Sequence, residues 1–329
     1  MKKKIIYTLT FLFLIVLVGS LIKYSESKKT KEINLKTIKV AEVTHSLFYT
    51  PFYVAIENGY FKDNGIEIDL TLVSGSDNVA ASVLSNDTKI GLAGPESAIF
   101  VYNGGEKDYL QVFSGLTKRD GQFILSKAKD FKWEDLKGKE ILVGRSTGMP
   151  ALSFFKALDN KGINKKEVNI NTSIEFAELS GAFIGGNGDY VNLFEPLASK
   201  LEKNGNGYVV ESVGLASNEF PYTAFYARKS FIDNNKELLT SFNKAMQLGI
   251  NYTLNNDAKD IAKIVKKQFN DTSIDDLTMV IDRYKKSDVW LNNTFIEENF
   301  FNTLTELLKE NNLISNNIPY KDLVHNLNE

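Results

Sequence analysis

Residues 37–73, TIKVAEVTHSLFYTPFYVAIENGYFKDNGIEIDLTLV, predict a strand, a loop, a helix and a second strand in that order. The first seven residues alternate and are rich in β-branched side chains, and residues 66–73 alternate again, as strands do. Between them the apolar side chains have helical spacing, and Gly59 ends the helix. This βαβ unit decides the fold class because the rest of the chain repeats it.

The same order recurs twice before residue 121. Residues 78–86, NVAASVLSN, have the spacing of a short helix that Asp77 can cap, and a short buried strand follows at 89–94, KIGLAG. SAIFVYNGG is again helical, and LQVFSGLT at 110–117 predicts a fourth strand. Strands alternating with helices predict parallel βαβ units and an α/β fold.

Four polar loops each follow one of these strands directly, at residues 45–49, 74–77, 94–96 and 117–120. In parallel sheets, ligands bind beyond the carboxyl ends of the strands, where such loops meet. We therefore expect these loops to converge on one pocket.

A second βαβ system begins near Gly121, with strands predicted in GQFILSK, KEILVG, EVNINTS, GDYVNLFEP and GYVVESV. In GRSTGMPALSFFKAL, Ser146 or Thr147 can cap the helix that follows the strand, and Pro150 suits its first turn. After this system the chain is mainly helical, with four segments whose apolar side chains repeat about every 3.6 residues.

The composition excludes several classes of protein. The chain has 39 basic and 41 acidic residues, and outside the N-terminus we find no long basic stripe that could follow a phosphate backbone, so no nucleic acid partner is expected. The absence of cysteine excludes disulfides, thiolate metal sites and cysteine nucleophiles. The two histidines, His45 and His325, cannot build a histidine-rich metal site. We expect no metal and no cofactor, since no P-loop, dinucleotide fingerprint or Ser-His-Asp set is present.

The N-terminus carries an export segment. Three lysines at residues 2–4 precede an uncharged apolar run at 5–22, and a polar linker at 23–36 follows. The apolar run fits a secretory signal, and it also exceeds the minimum of about 17 residues that can cross a bilayer. We expect residues 1–22 to be a membrane anchor or a cleaved signal, with the folded part on the outer side of the membrane or secreted.

From residue 39 to about 228 the chain resembles the bacterial solute-binding proteins of ABC importers for thiamine precursors, alkanesulfonates, taurine and nitrate. The resemblance is carried by PFYVAIENGYFKDNGIEIDL, KIGLAGPES, WEDLKGKEILVGRSTGMPAL and DYVNLFEP. The most specific feature is WEDLKGK followed by a strand and a Gly-Ser/Thr-Gly turn, and GYF-x4-GI-x-I is nearly as specific.

This resemblance implies a periplasmic-binding-protein-like fold with two α/β lobes, two hinge crossings and a cleft between the lobes. Lobe 1 would comprise residues 37–118 and 223–329, and lobe 2 residues 119–222. The lobes would close over a small-molecule solute and deliver it to a membrane permease driven by an ATPase subunit, without catalysis. An enzyme branch of the same fold relies on a cysteine-rich motif that this chain lacks. The cysteine that usually carries the family's lipid anchor is replaced by Ser20.

The predicted ligand-binding residues lie in the loops after the strands and at the crossings between the lobes. They are His45, Ser46, Tyr49, Ser74, Gly75, Gly94, Pro95, Glu96, Arg119, Asp120, Arg145, Ser146, Thr147, Gly148, Tyr190, Glu195, Tyr222 and Thr223. His45, Ser46 and Tyr49 are expected to form one wall of the pocket, with aromatic faces for a ring and polar atoms at its edges.

The second system contributes two further groups of residues. The turn that begins at Arg145 is expected to present helix N-terminal amides to an anion or a polar ring edge, with simple capping as the alternative. Glu195 and Tyr190 are expected in a loop after a strand, where Glu195 accepts from an amino group and Tyr190 stacks on the ring. A place for Glu195 in a first helical turn beside Pro196 is the alternative.

Two ligand classes compete in this sequence. Tyrosines with the carboxylates Glu96 and Glu195 suit a neutral or cationic heterocycle such as a thiamine-pyrimidine precursor, which we favour because carboxylates repel an anion. The turn at Arg145 suits a sulfonate, taurine or nitrate anion instead. A pyrimidine-converting enzyme on the same fold is the alternative of another class, with His45 as its candidate reactive group.

Overall fold

The computed structural model describes residues 35–327, in which ten strands form two five-stranded sheets. The strands are β1 (Lys36–Glu42), β2 (Ile66–Leu72), β3 (Ile90–Ala93), β4 (Leu110–Thr117), β5 (Gln122–Ser126), β6 (Glu140–Leu142), β7 (Asn169–Asn171), β8 (Tyr190–Phe194), β9 (Tyr208–Ser212) and β10 (Thr223–Arg228). The predicted export segment at 1–22, and all but the last two residues of the predicted linker at 23–36, lie outside the described residues.

Helices connect most of these strands and make up most of the C-terminal part. They are α1 (Thr50–Glu57), α2 (Tyr60–Asp63), α3 (Ser76–Leu84), α4 (Glu96–Asn103), α5 (Met149–Asn160), α6 (Leu179–Ile184), α7 (Leu197–Lys203), α8 (Val213–Ser217), α9 (Lys229–Asn234), α10 (Lys236–Asn255), α11 (Ala258–Val265), α12 (Ile274–Lys286), α13 (Glu298–Glu310) and α14 (Tyr320–Leu323). Within residues 35–327, none of the helices combines the length and apolar character needed to cross a membrane.

The first sheet has the order β2-β1-β3-β10-β4 and is mixed. β1 pairs in parallel with β2 and with β3, as the βαβ pattern predicts. β10 runs antiparallel to both of its neighbours, β3 and β4. The predicted parallel units are present, since β3 and β4 also share one direction. β10 was not predicted from the sequence, and the chain inserts this strand from the opposite direction when it returns from the second sheet.

The second sheet has the order β7-β6-β8-β5-β9, and all of its strands come from the segment between β4 and β10. β6 is parallel to β7 and β8, whereas β5 is antiparallel to β8 and β9. β5 follows β4 after a short crossing at residues 118–121, so it enters the second sheet against the direction of β8. The fold class is α/β with two mixed sheets.

The long C-terminal helices cover the first sheet, as their helical spacing predicts. α10 packs across α1 so closely that a β-carbon on Gly249 would overlap the carbonyl oxygen of Pro51, and only glycine fits at this crossing. Beneath it, the ring of Phe242 meets the edges of Phe225 and Phe113 in T-shaped contacts. Such aromatic contacts bury a large apolar area, and they fix the helical layer on the sheet.

Candidate functional site

The loops after β1, β2 and β3 lie at one edge of the first sheet. Glu42, the last residue of β1, pairs with Leu72 of β2 and with Leu92 of β3, so the three strands end at the same level. The segments that follow therefore start side by side, and the structure brings these predicted loops together.

The return of the chain adds the start of β10 to this edge. Ala224 pairs with Ala93, the last residue of β3, and Thr223 pairs with Thr117, the last residue of β4. Antiparallel pairing thus sets the turn before Glu96 opposite the residues that open β10. The ends of β3 and β4 and the beginning of β10 form the centre of the candidate site.

Glu96 is the charged group at this centre, at the first position of α4. Its side chain is 2% exposed and folds back over Gly94, at a point where a β-carbon would collide with the carboxyl group. The Oε2 atom has no hydrogen-bond partner among the residues that the structure describes. Burial raises the pKa of Glu96 to about 8, although its own backbone N–H and the Ser76 side chain act in the opposite direction.

Three buried tyrosines lie near enough to this carboxyl group for its charge to raise their pKa, and Thr117 lies at the end of β4 beside Thr223. The hydroxyls of Tyr222, Tyr226 and Thr117 make no hydrogen bond of good geometry within residues 35–327. Tyr49 is also buried, and its hydroxyl lies within reach of the Thr223 side chain. Burial raises the pKa of each of these tyrosines further above its ordinary value, so all of them are neutral donors at physiological pH. We define this set, with Glu96, as the Glu96 cluster.

Asp120 extends the site toward the second sheet. It is fully buried, accepts a hydrogen bond from the backbone N–H of Gln122 at 2.6 Å, and contacts the hydroxyl of Ser153 on α5. Burial raises the pKa of Asp120 to about 7, against the lowering effect of these donors. The Asp120 charge in turn raises the pKa of Tyr222, so this tyrosine links the two carboxyl groups.

Glu195 lies in the turn after β8, but its carboxylate is used inside the protein. The Oε1 atom receives the guanidinium of Arg283 at 2.7 Å and the hydroxyl of Ser199 at 2.7 Å, and Oε2 receives the Ser199 N–H at 2.9 Å. Glu195 precedes Pro196, the N-cap residue of α7, and accepts the Ser199 N–H from the start of that helix. It therefore lies just before the first helical turn that the sequence left as an alternative, and the peptide bond between Glu195 and Pro196 is cis.

His45 and Ser46 do not line the Glu96 cluster in the way that the sequence predicted. The His45 ring faces Glu42 through Nδ1 at 2.7 Å and the carbonyl of Gln268 through Nε2 at 3.0 Å, and it stacks on Phe269. Ser46 is buried and donates its hydroxyl to the backbone carbonyl of Glu195 at 3.2 Å. Of the predicted wall, Tyr49 contributes to the cluster.

The turn from Arg145 to Gly148 is exposed. Arg145 pairs with Glu175 at 3.1 Å and lies 3.9 Å from Asp77, so two carboxylates already neutralise its charge. The predicted capping of α5 by Ser146 or Thr147 was wrong, because Gly148 occupies the cap position and no side chain caps the helix. Pro150 does lie in the first turn, as predicted.

The remaining predicted residues lie around the rim or away from it. Ser74 is exposed, and Gly75 precedes α3 with a positive φ of 93°. Arg119 binds Glu219 at 2.8 Å beside the crossing. Tyr190 is the first residue of β8, so it lies within the predicted strand and not in the loop after it, at the opposite end of β8 from the turn at Glu195.

Sequence reasoning missed Tyr226, Thr117 and Ser153 as members of the site. Tyr226 lies within β10 and Thr117 at the end of β4, and both strands are buried on both faces. Neither strand alternates between buried and exposed positions, so the sequence gives no sign that these two side chains differ from core residues. Ser153 lies on the apolar face of α5, where a lone serine is a weak but readable signal. Among residues 35–327 no group of His, Asp or Glu side chains is arranged to hold a metal ion.

Comparison with known proteins places these features in context. Residues 48–259 match the protein family described as NMT1/THI5 like. A protein of Bacillus subtilis strain 168 described as a binding protein, YtlA, is 38% identical over 298 residues, covering 90% of this chain and 89% of the relative.

Two solved structures share the fold at lower identity. The periplasmic aliphatic sulphonate binding protein SsuA from Escherichia coli superposes with a TM-score of 0.68 at 15% identity, over 87% of this chain and 96% of that one. The Candida albicans CA3427 product, described as exhibiting the generic periplasmic binding protein structural fold, gives 0.65 at 17% identity, over 88% and 96%. The predicted fold class is confirmed.

Proposed function

Because the chain belongs to the NMT1/THI5-like family, we propose that it is the extracytoplasmic solute-binding protein of an ABC importer. It captures one small molecule and delivers it to a permease and an ATPase subunit. The B. subtilis relative is described as a binding protein and SsuA as a periplasmic sulphonate-binding protein, and both descriptions support this role. The apolar N-terminal run is proposed to export the chain, or to anchor it, on the outer side of the membrane.

We propose that residues 37–118 and 223–329 form one lobe and residues 119–222 the other. The two sheets draw their strands from these segments, and the only chain crossings between the sheets lie near residues 118–121 and 218–222 in the described part of the chain. A ligand that contacts both lobes favours the closed arrangement through its additional contacts, and the permease recognises that arrangement.

We propose that the solute is a neutral or cationic amino heterocycle of the thiamine-pyrimidine type, bound at the Glu96 cluster. The observation that carries this proposal is the buried carboxyl group of Glu96, whose Oε2 atom has no partner in the described chain. Buried polar atoms are nearly always hydrogen-bonded, so an unsatisfied one needs a partner, which a bound ligand, a water molecule or an ion can supply. The hydroxyl groups of Tyr222 and Tyr226 also lack a partner of good geometry and can bind polar atoms of the solute.

The anion alternative has weaker support at this site. A sulfonate or nitrate carries a negative charge, and within residues 35–327 no cation acts on Glu96 or Asp120 that could balance it. A buried anion would have to be held by the neutral donors of the Glu96 cluster alone. The nearest anion-type feature is the turn at Arg145, where Glu175 and Asp77 already neutralise the arginine. The proposal is one of binding without turnover.

Thermal shift of the full-length protein against thiamine-pyrimidine precursors, taurine, alkanesulfonates and nitrate tests the function. We expect a saturable rise in melting temperature with an amino heterocycle, since a ligand that binds only the folded state stabilises it by mass action. The heterocycle should be recovered chemically unchanged. A rise with sulfonates alone would replace the proposed solute class, and no rise with any compound would contradict the proposed binding role.

A further inference from the structure

Glu96 is a carboxyl group without a cation. Its side chain is 2% exposed, and no lysine, arginine or histidine among the described residues forms an ion pair with it. An unpaired carboxylate in such a place is strongly destabilising, so the group takes up a proton instead. A neutral carboxylic acid presents an O–H donor and a carbonyl acceptor side by side.

We propose that Glu96 selects the solute by binding, as a neutral carboxylic acid, the edge of a heterocycle on which a ring nitrogen neighbours an exocyclic amino group. The O–H of Glu96 donates to the ring nitrogen, and its carbonyl oxygen accepts from the amino group. This inference rests on the proposed function and adds the chemical edge that the site recognises. Paired donor and acceptor recognition of this kind is what allows Asn or Gln to read adenine in nucleic acids.

In this arrangement the proton is shared between Glu96 and the solute and does not have to come from solvent. If it moves from the Oε2 atom to the ring nitrogen, the neutral pair becomes a carboxylate beside a protonated heterocycle, with the same two hydrogen bonds. No net proton is taken up or released while Glu96 is protonated in the free protein and the heterocycle is unprotonated in solution. Once solvent removes the proton from Glu96, both the carboxylate and the ring nitrogen are acceptors, and one of the two hydrogen bonds is lost.

The side chains nearest to Glu96 keep their own protons over the pH range in which Glu96 loses its proton. Four side chains lie near it: Tyr226 on β10, Tyr222 just before that strand, Tyr49 just before α1, and Ser76 at the start of α3. The three tyrosines keep their protons beyond the ordinary range, and burial raises their pKa further.

Three more carboxyl groups act on these tyrosines: Asp120, Glu42, and Asp77, whose charge influences Tyr226. Asp120 lies beyond Tyr222, and burial raises its pKa to about 7, below that of Glu96. Glu42 influences Tyr49 but is held by His45 and Tyr53. Above neutral pH, the ionisation of Glu96 is therefore the main event at the site.

Calorimetric titration of the full-length protein with 4-amino-2-methylpyrimidine as the probe tests the inference. For the unmodified protein we expect an affinity that is constant up to about pH 8 and then falls about tenfold per pH unit. Glu96→Gln carries an amide with the same donor and acceptor pair, so it should bind within about tenfold of the unmodified protein and show no loss up to about pH 9.5. Glu96→Leu should bind about 10- to 100-fold more weakly at neutral pH.

The matched probe is 2,4-dimethylpyrimidine, which keeps the ring and its shape but has no amino group. We expect it to bind the unmodified protein about tenfold or more weakly than the amino compound. Circular dichroism and melting curves of each variant at each pH report folding, and Glu96→Gln keeps the test available if Glu96→Leu fails to fold.

The outcomes separate this inference from the proposed function. Equal pH profiles for the unmodified protein and Glu96→Gln, or equal affinity for the two pyrimidines, would overturn the role of Glu96 while binding itself stands. Failure of the amino probe alongside a clear melting rise with another solute would also overturn it. Failure of every solute in the thermal panel would instead count against the proposed function.

Discussion

The Nη1 atom of Arg283 lies 2.7 Å from the Oε1 atom of Glu195, so helix α12 is fastened to the turn after β8. The main chain of Glu195 is held from the same side: its N–H donates to the hydroxyl of Tyr284 at 3.0 Å, and its carbonyl accepts from Ser46 at 3.2 Å. The turn after β8 in the second sheet is thus held by Arg283 and Tyr284 of α12 and by Ser46, which follows β1 of the first sheet. Glu195 is a structural junction between the two halves of the chain.

Arg283→Met should destabilise the protein by about 2 to 4 kcal/mol, because it leaves the buried Glu195 carboxylate without its cation. Urea unfolding at neutral pH measures this difference. The control is Lys286→Met on the same helix, where an exposed lysine pairs with Asp282 and little change is expected.

A double variant, Arg283→Met with Glu195→Leu, should recover much of the lost stability, since the unpaired charge is then gone. Equal unfolding midpoints for Arg283→Met and Lys286→Met would show that the Glu195 pair contributes nothing.

Gly94→Ala should weaken solute binding about tenfold or more with little change in stability. The new methyl group would collide with the Glu96 carboxyl, which is the end of a flexible side chain and has to move away. Gly181→Ala is the control, because an added β-carbon meets no atom within 4 Å there. Calorimetry gives the affinities and thermal melts give the stabilities; full affinity in Gly94→Ala would place the solute away from Glu96.

The stability of the solute-free protein should fall as the pH rises from about 5 to 8. Burial raises the pKa of Glu96 from 4.5 to about 8, so between these values the folded state holds a proton that the unfolded state has lost. Stability from this proton is present at the acid end and is lost as the pH rises. Asp120 acts in the same direction up to about pH 7.

Glu96→Gln should flatten this pH dependence by about 1 to 3 kcal/mol between the two ends of the range. Urea midpoints at three pH values provide the measurement, with Glu134→Gln at an exposed position as the control. A slope equal to that of the unmodified protein would mean that Glu96 is ionised when buried.

The two histidines should titrate on opposite sides of pH 6.5 in NMR spectra. The hydrogen bond to Glu42 raises the pKa of His45, since both ring nitrogens face acceptors and the doubly protonated ring satisfies both. Burial lowers the pKa of His325, with Lys236 acting in the same direction. The stability that His45 contributes is complete below pH 6.5 and is lost as the pH rises through its raised pKa. The spectrum of His45→Gln assigns the two histidine signals. A pKa of His45 below that of His325 would refute the hydrogen bond between His45 and Glu42.

Local sequence patterns predicted the elements of this fold because alternation and helical spacing depend on neighbouring residues. The strand at 110–117 and helix α10 occur where their patterns place them. Strand direction is a different property, since β5 and β10 have the same apolar character whichever way they enter a sheet. Their antiparallel pairing depends on where the chain crosses, and the crossings were visible only through the family resemblance.

The sequence predicted some residues of the candidate site but not the contacts that distant residues make there. Glu96 could be named because it follows a strand end, a position that the βαβ order fixes, whereas Tyr222 was named because the resemblance implies a hinge crossing there. The use of Glu195 could not be predicted, because its partner Arg283 is 88 positions away along the chain. Tyr190 was misplaced because it was assigned to the loop after the strand, whereas it is the first residue of β8.

A crystal structure of the protein with the amino heterocycle that gives the largest melting rise would show whether Glu96 binds the solute. We expect the solute between Tyr49, Tyr222 and Glu96, with its amino group and ring nitrogen within about 3 Å of the Glu96 carboxyl. A solute bound at the turn of Arg145 instead, or one that leaves the Glu96 carboxyl without a partner, would contradict the proposed role of Glu96.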